Sequence, residues 1–178
     1  MTTFMLTTVT ALYLVSSVLL LGADRPGYRA IRDTISELGE TGARRGLLAS
    51  YGVFLPVGLM ALTLAWLRHG SSAAGLALCI AVGYLAAAAF PCDPGSPARG
   101  SWRQTLHNLG GLVEYWGGGI FLWRLGADHG VGFQALAAFV LALPLAFNLR
   151  ACLPIRGLLQ RLAETALFGG LLLANAGA

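Results

Sequence analysis

Six apolar runs, each close to the length that crosses a bilayer, constrain this chain more than any other feature. They cover residues 4–22, 47–67, 73–90, 105–125, 132–149 and 157–176. A hydrocarbon core about 30 Å thick needs roughly 20 apolar residues in a helix. None of the runs alternates as a barrel strand would, and only helices otherwise satisfy their own backbone in lipid. The sequence therefore predicts an all-α, polytopic membrane protein: six transmembrane helices in one domain over residues 1–178.

The composition agrees with a membrane protein. Hydrophobic residues make up 56% of the chain and charged residues 11%, against about 25% charged in soluble domains. The first run, 4–21, lacks the basic segment of a signal peptide, and Gly22-Ala23-Asp24 is a poor cleavage site. We interpret it as a retained first span, and the plasma membrane as the expected location.

The charges gather at three alternate connections between the runs. Ten of the 12 basic residues, all of them Arg, and six of the eight acids lie in or beside these connections. One membrane face is therefore rich in polar groups, and function is expected there. The positive-inside rule places this face in the cytoplasm. Because no nucleic-acid motif accompanies the Arg residues, anionic lipid is the expected partner rather than nucleic acid.

The first of these connections predicts a short amphipathic helix in the interface. Ile31, Ile35 and Leu38 share one helical face. Thr34 and Glu37 have capping-box spacing, and Gly39 would end the helix. Glu37 has two readings, as a helix cap or as a side chain that faces a site.

The connection before the fourth run contains the strongest pattern for chemistry. Asp93 lies in a Pro- and Gly-rich turn, and His107 and Asn108 begin the run. A step of seven residues places Glu114 below His107 on the same helical face, deeper in the membrane. Ionisable residues at that depth indicate function by default. The alternative is a hydrogen-bonded His107–Glu114 pair that only locks two helices.

Other polar and bulky residues have plainer interpretations. Glu164 has the spacing to pair with Arg161 or Gln160 near the interface. Trp116, before Gly117-Gly118-Gly119, would fill space between closely packed helices or form a pocket wall. Pro56 and Pro144 would kink the second and fifth spans.

Four segments are distinctive together: Thr34-Ile-Ser-Glu-Leu-Gly39, Phe90-Pro-Cys-Asp93-Pro, His107-Asn108, and Gly157-Leu-Leu-Gln-Arg161-Leu. They resemble the bacterial membrane family called domain of unknown function 998, which is itself remotely similar to the Frag/DRAM/Sfk six-span superfamily. The resemblance implies six helices and a polar site made of Glu37, Asp93, His107, Asn108 and Arg161. It implies no particular reaction. In the superfamily the first loop faces away from the cytoplasm, which opposes the charge count.

Three further arrangements stay open. A Cys92–Cys152 disulfide would require an oxidising compartment. Cys92, Asp93, His107 and Glu114 could hold a metal, although no close-spaced ligand motif supports this. Ser36 or Ser101 could form a hydrolase triad with His107 and Asp93, without a nucleophile elbow.

We therefore predict a pocket at the polar face that binds, and processes by acid–base chemistry, a phosphate-bearing lipid or isoprenoid, without cofactor or metal. Arg suits such a ligand because its fork binds phosphate oxygens bidentately. The alternatives are a non-catalytic lipid-binding or accessory protein, and a small transporter. The candidate catalytic residues are Glu37, Asp93, His107 and Glu114, and the candidate substrate-binding residues are Arg32, Asn108, Trp116 and Arg161.

Overall fold

Long helices dominate the computed structural model, which describes residues 2–147 and 149–176. No strand occurs in these ranges, and the predicted all-α class is confirmed. The six helices are α1 (Thr2–Asp24), α2 (Gly46–Leu67), α3 (Ser72–Ala89), α4 (102–129), α5 (Val131–Ala146) and α6 (Arg156–Ala176). They coincide with the six apolar runs to within a few residues, and position 148 of the fifth run lies outside the described residues.

Three of the helices, α1, α2 and α3, are each long and apolar enough to cross a membrane. A fourth candidate is α5 taken together with Arg150–Ala176, with a bend of 116° between the two parts. Helices α4 and α6 carry buried polar residues, including His107, Glu114 and Glu164, which lower their mean hydropathy. The protein is therefore membrane-like, with three to four spans by length and composition, and the count of six stays a prediction.

Helix α3 lies at the centre of the bundle. It packs against α2, α4 and α6. Its small side chains, such as Ala77, Ala81 and Gly83, allow neighbouring helices to approach closely. Two larger residues of the same helix, Leu76 and Ile80, are fully buried. The core is thus built around an Ala-rich helix rather than a bulky one.

Two of the long helices contain a π turn, a wide turn often found at functional sites. In α2 the turn is Ser50–Phe54, just before Pro56. Proline has no N–H to offer the carbonyl of Gly52, and the Tyr13 hydroxyl donates to that carbonyl instead. In α4 the turn is Val113–Gly117, between Trp102–Leu112 and Gly118–His129.

The triple glycine after this second π turn contacts three different helices. A Cβ at Gly117 would meet the Cys79 sulfur at 2.6 Å, and one at Gly118 would meet Leu167 at 2.7 Å. A Cβ at Gly119 would meet Leu141 at 2.7 Å. The glycines therefore permit the predicted close packing.

The predicted amphipathic helix after α1 is wrong. The first connection forms successive turns and one 3₁₀ turn, Ser36–Gly39, and Ile31 is 59% exposed. Besides the turn bonds within the connection, some of its backbone groups bond to α6: the carbonyls of Ile31 and Arg32 accept the N–H groups of Leu158 and Gly157. The connection therefore caps the last helix, whose first N–H groups have no partner within the helix.

The three polar connections meet at one end of the bundle. The N–H of Thr41 donates to the carbonyl of Cys92, and the N–H of Gly95 donates to Glu40. At the opposite end, short turns around residues 68–71 and 130 join the helices. We call the first end the loop-rich end.

Candidate functional site

A cavity of about 700 Å³ opens at the loop-rich end and runs inward beside α4. Its walls come from the first connection, the 96–100 loop, α3, α4, the end of α5 and the start of α6. Of the eight residues selected from the sequence, His107, Asn108 and Glu114 line it. The structure adds Arg99, Tyr115, Arg156 and Gln160, which the sequence analysis did not choose as site residues.

One side of the cavity is apolar and borders the outer surface of the bundle. Leu109, Leu112 and Leu153 line the cavity and are 51%, 36% and 47% exposed. The first half of α4 packs on α3, whereas α5 packs on the second half of α4 and on α6. The cavity lies in the resulting gap between the start of α4 and the end of α5.

Arg156 links the three connections at the mouth of the cavity. Its Nη2 donates to Glu37 at 2.6 Å and to the carbonyl of Gly95 at 2.8 Å, and its Nη1 donates to the carbonyl of Ser96 at 3.2 Å. Its Nε is buried and has no hydrogen-bond partner within the described residues. Arg156 therefore holds the 95–96 loop while one donor stays unused.

Glu37 acts as the predicted cap, around a 3₁₀ turn rather than an α-helix. Its Oε1 accepts from the N–H and the hydroxyl of Thr34, both at 3.0 Å, and its own N–H donates to that hydroxyl. The ion pair with Arg156 uses the same oxygen. Glu37 does not line the cavity, so it supports the mouth through Arg156.

Asp93 closes the loop that precedes α4. Its carboxylate accepts from the N–H of Ser101 at 2.6 Å and from the Ser101 hydroxyl at 2.8 Å. These bonds hold the pKa of Asp93 below its usual range. Gln104 accepts from the N–H of Asp93 and donates to Asn108, which in turn donates to the carbonyl of Ala98. Asp93 is therefore part of the loop framework and not of the cavity wall.

His107 lines the cavity and is 8% exposed. Its Nδ1 lies 3.0 Å from the carbonyl oxygen of Phe90. Because a carbonyl can only accept, Nδ1 must carry the proton of this bond, and Nε2 of the neutral ring is then an acceptor. The backbone at the end of α3 thus fixes the tautomer that a general base requires.

Glu114 is a buried carboxyl without a hydrogen-bond partner in the part of the chain that the structure describes. It is 6% exposed and lines the cavity, and no hydrogen bond to it occurs among the described residues. The predicted direct pairing with His107 is absent in the same ranges. Its carboxyl lies against Gly83, where an added Cβ would meet Oε2 at 2.1 Å. Gly83 therefore provides the space that Glu114 occupies.

Glu164, in contrast, has both oxygens bonded. Tyr84 and Tyr115 each donate a hydroxyl to it at 2.9 Å. Gln160 donates to the Tyr115 hydroxyl at 3.2 Å and accepts from the N–H of Ile35 at 2.7 Å. The predicted pairing of Glu164 with Arg161 or Gln160 is wrong, because Glu164 points into the bundle, where the tyrosines reach it.

Arg161 holds the first connection against α6. Its Nη1 donates to the carbonyls of Ala30 and Asp33 at 2.7 and 3.0 Å, and its Nη2 donates to the Tyr28 hydroxyl at 2.5 Å. Its guanidinium also lies 5.6 Å from the centre of the Tyr28 ring. It is absent from the cavity wall, and its donors serve the loop.

Arg32 and Trp116 also lie away from the cavity wall. Arg32 pairs with the neighbouring Asp33 at 2.6 Å, which lowers the pKa of that carboxyl, and its side chain is 53% exposed. Trp116 is 44% exposed on the outside of the π turn. The inward positions of this turn are taken by Glu114 and Tyr115, both buried.

The structure bears on each of the three arrangements that the sequence left open: a disulfide, a metal site and a hydrolase triad. Cys92 and Cys152 are free thiols, and burial raises the pKa of Cys92 to about 12. Within residues 2–147 and 149–176, no three His, Cys, Asp or Glu side chains come together as a metal site would require. Ser101 bonds to Asp93, while His107 bonds to the Phe90 carbonyl, so no triad is assembled around them.

The missed residues had weak sequence signals. Arg156 is the first residue of α6 and resembles any interfacial arginine in a membrane protein. Tyr84 and Tyr115 lie in apolar runs, where a tyrosine is most simply a packing residue. Their hydroxyls need partners when buried. That need is the one signal that could have connected them with Glu164.

The family model described as "Protein of unknown function (DUF998)" matches residues 8–176. The chain belongs to this family. The match covers the first connection, the cavity and all six helices but for the first residues of α1. No curated protein and no solved structure matches the chain. The function of this DUF998 protein is therefore argued from its cavity.

Proposed function

We propose that this DUF998 protein binds a lipid or isoprenoid with a phosphate-bearing head group in the cavity beside α4. The observation that carries the proposal is the shape of the cavity. It opens to the loop-rich end through polar groups and to the outer surface through the exposed leucines Leu109, Leu112 and Leu153. An amphiphile can place its head among the polar groups while its chain stays in the bilayer.

The charges at the mouth support a phosphate. Arg99 lines the cavity and is exposed, and Arg156 has its Nε free of any partner within the described residues. Guanidinium groups bind phosphate oxygens in well-defined geometry. The 95–98 loop, held by Arg156 and Asn108, keeps this side of the mouth in place.

A cavity-filling variant tests the binding directly. Gly111 lines the cavity, and a Cβ there would meet only the Tyr115 ring, at 4.0 Å, so Gly111→Leu adds volume at the cavity wall from a Cβ that has room. Gly169→Leu on α6 is the matched control because nothing lies within 4 Å of its Cβ. We expect wild type and Gly169→Leu to co-purify a phosphate-bearing lipid, detected by mass spectrometry, and Gly111→Leu to lose it. Equal lipid content in all three proteins would contradict the proposal.

We further propose that His107 supplies the acid–base chemistry. With Nδ1–H donated to Phe90, Nε2 can take a proton from a ligand group in the cavity. The imidazolium so formed keeps its bond to the carbonyl. In a strain that lacks this protein, the wild-type chain should restore the lipid profile, whereas a stably inserted His107→Gln chain should not. Full restoration by His107→Gln would indicate that the protein binds its ligand without acid–base chemistry at His107.

The proposed setting is the plasma membrane, with each of the six helices crossing it. Helix α4, with 28 residues, spans about 42 Å, and α6, with 21, spans about 31 Å, enough for the core of the bilayer. Accessibility tags inserted at the positive-φ glycines Gly42 and Gly95 should report one side, and tags at Gly70 and Gly130 the other. Tags at Gly70 and Gly130 on different sides would exclude six spans.

A further inference from the structure

We propose that the ligand's head group carries a primary amine as well as its phosphate, so that the ligand is zwitterionic. The inference rests on the proposed lipid-binding function and names the class of ligand. It comes from the two ends of the cavity, which differ in charge. The mouth carries Arg99 and Arg156, and the inner end carries Glu114.

The inner end contains an unsatisfied acid. Glu114 is 6% exposed, its Oε1 is completely buried, and no group of the described residues bonds to its carboxyl. A charged carboxylate in an apolar interior is costly unless a cation or several donors accompany it. The described residues, 2–147 and 149–176, supply neither, so we infer that the missing partner is a group that enters the cavity.

The surroundings of Glu114 favour a cation as that group. The four ion pairs of the described residues use Asp24, Asp33, Glu37 and Glu40, and the chain has no lysine. An ammonium brings one positive charge and three N–H donors to this place.

Polar side chains connect the two ends of the cavity wall. Arg156 lies four residues before Gln160, which is about 6 Å along α6. Gln160 bonds to Tyr115, the neighbour of Glu114. The basic and acidic ends thus belong to one continuous wall, and a head group with both a phosphate and an amine would place one group at each end. The amine would enter first, and the acyl chains would leave at the level of Leu153 and Leu109.

Other head groups lack one of the required features. A phosphocholine has a positive charge but no N–H to give to Glu114. A phosphoglycerol or a plain isoprenoid diphosphate has no cation. Each leaves Glu114 buried without a partner, and the cavity should therefore discriminate against all three.

The test compares head groups on identical acyl chains. Purified full-length protein in detergent is titrated with phosphatidylethanolamine, phosphatidylcholine or phosphatidylglycerol, and bound lipid is counted by native mass spectrometry. We expect phosphatidylethanolamine to bind about tenfold or more tightly than the other two, because only it satisfies the buried acid. Glu114→Gln should abolish this preference. Asp128→Asn, the same change at an exposed acid outside the cavity, should retain it.

The outcomes separate the two proposals. Equal or tighter binding of phosphatidylglycerol to the wild type would overturn the amine and leave lipid binding intact. Binding of none of the three lipids would overturn glycerophospholipid binding, and with it both the amine and the phospholipid part of the proposed function. Displacement of bound lipid by an equal concentration of free phosphoethanolamine would support the amine and overturn a lipid as its source. A thermal unfolding curve checks that Glu114→Gln is folded. The comparison of the three lipids on the wild type stands without this variant.

Discussion

Two buried carboxyls on neighbouring helices of the bundle differ in their hydrogen bonding. Glu164 on α6 accepts a hydroxyl on each oxygen, from Tyr84 and Tyr115. Glu114 on α4 has no partner within the described residues, although it is equally buried at 6% exposure. Buried polar groups in folded proteins are normally bonded. The contrast indicates that Glu164 stabilises the fold, while Glu114 is held for a group from outside the chain.

The largest effect is expected from removing Glu164, the carboxyl whose two oxygens are both hydrogen-bonded. Glu164→Ala leaves two buried tyrosine hydroxyls without their acceptor, and we expect it to lower the free energy of unfolding by about 3 kcal/mol. Thermal or denaturant unfolding in detergent measures the change. Glu164→Gln is the matched control. It keeps one acceptor oxygen and should lose about 1 kcal/mol. Wild-type stability of the alanine variant would remove the structural role.

The two arginines of α6 also differ in how far their donors are bonded within the described residues. Arg161 gives its donors to the carbonyls of the first connection, whereas Arg156 keeps a free Nε. We expect Arg161→Ala to cost about 2 kcal/mol and to increase hydrogen exchange of residues 28–35. The exposed Arg150, replaced by alanine, serves as the control. Unchanged exchange in Arg161→Ala would show that the connection is held by other contacts.

Glu114→Gln should change stability by less than the other two variants. Because the acid has no partner to lose and its charge is costly to bury, we expect the free energy of unfolding to stay within about 1 kcal/mol of wild type or to rise. The same unfolding experiment measures it. A loss as large as that of Glu164→Ala would mean that Glu114 is also a structural group.

The smallest effect concerns Asp93, a bonded acid near the surface. Its pKa is held low by the N–H and hydroxyl of Ser101. A lowered folded-state pKa stabilises the loop above the unfolded value of about 4, and this contribution is lost as the pH falls through the folded pKa. Limited proteolysis at the 94–100 loop should therefore increase below about pH 4 in the wild type. Asp93→Asn should be cut equally at about pH 3 and at about pH 7, and a wild-type acid response in that variant would refute this origin.

The helices were predictable from the sequence because hydropathy is a local property. Runs such as 47–67 and 73–90 correspond closely to Gly46–Leu67 and Ser72–Ala89. The reciprocal bonds between Thr34 and Glu37 were equally local, since they depend on residues three apart. The helix predicted around them failed because several of its N–H and carbonyl groups bond to α6, more than 120 residues away in sequence.

The candidate site was predictable only in part, because spacing along one helix is a local property and contacts between helices are not. His107, Asn108 and Glu114 lie on one stretch of α4, and helical spacing was enough to place them together. The pairing of Arg161 with Glu164 was plausible from spacing, yet each side chain found better partners on other segments. Partners such as Tyr84 become visible only when the helices are packed.

The bonds from Ile31 and Arg32 to the start of α6 have a consequence for synthesis in the membrane. The first connection emerges early and contains the acceptors, but the N–H groups that fill them belong to α6, which is made after the other five helices. The mouth of the cavity therefore cannot form fully until α6 has been inserted and docked. Chains that stop before residue 157 would carry the other five helices and no finished pocket, so assembly of the site requires translation through α6.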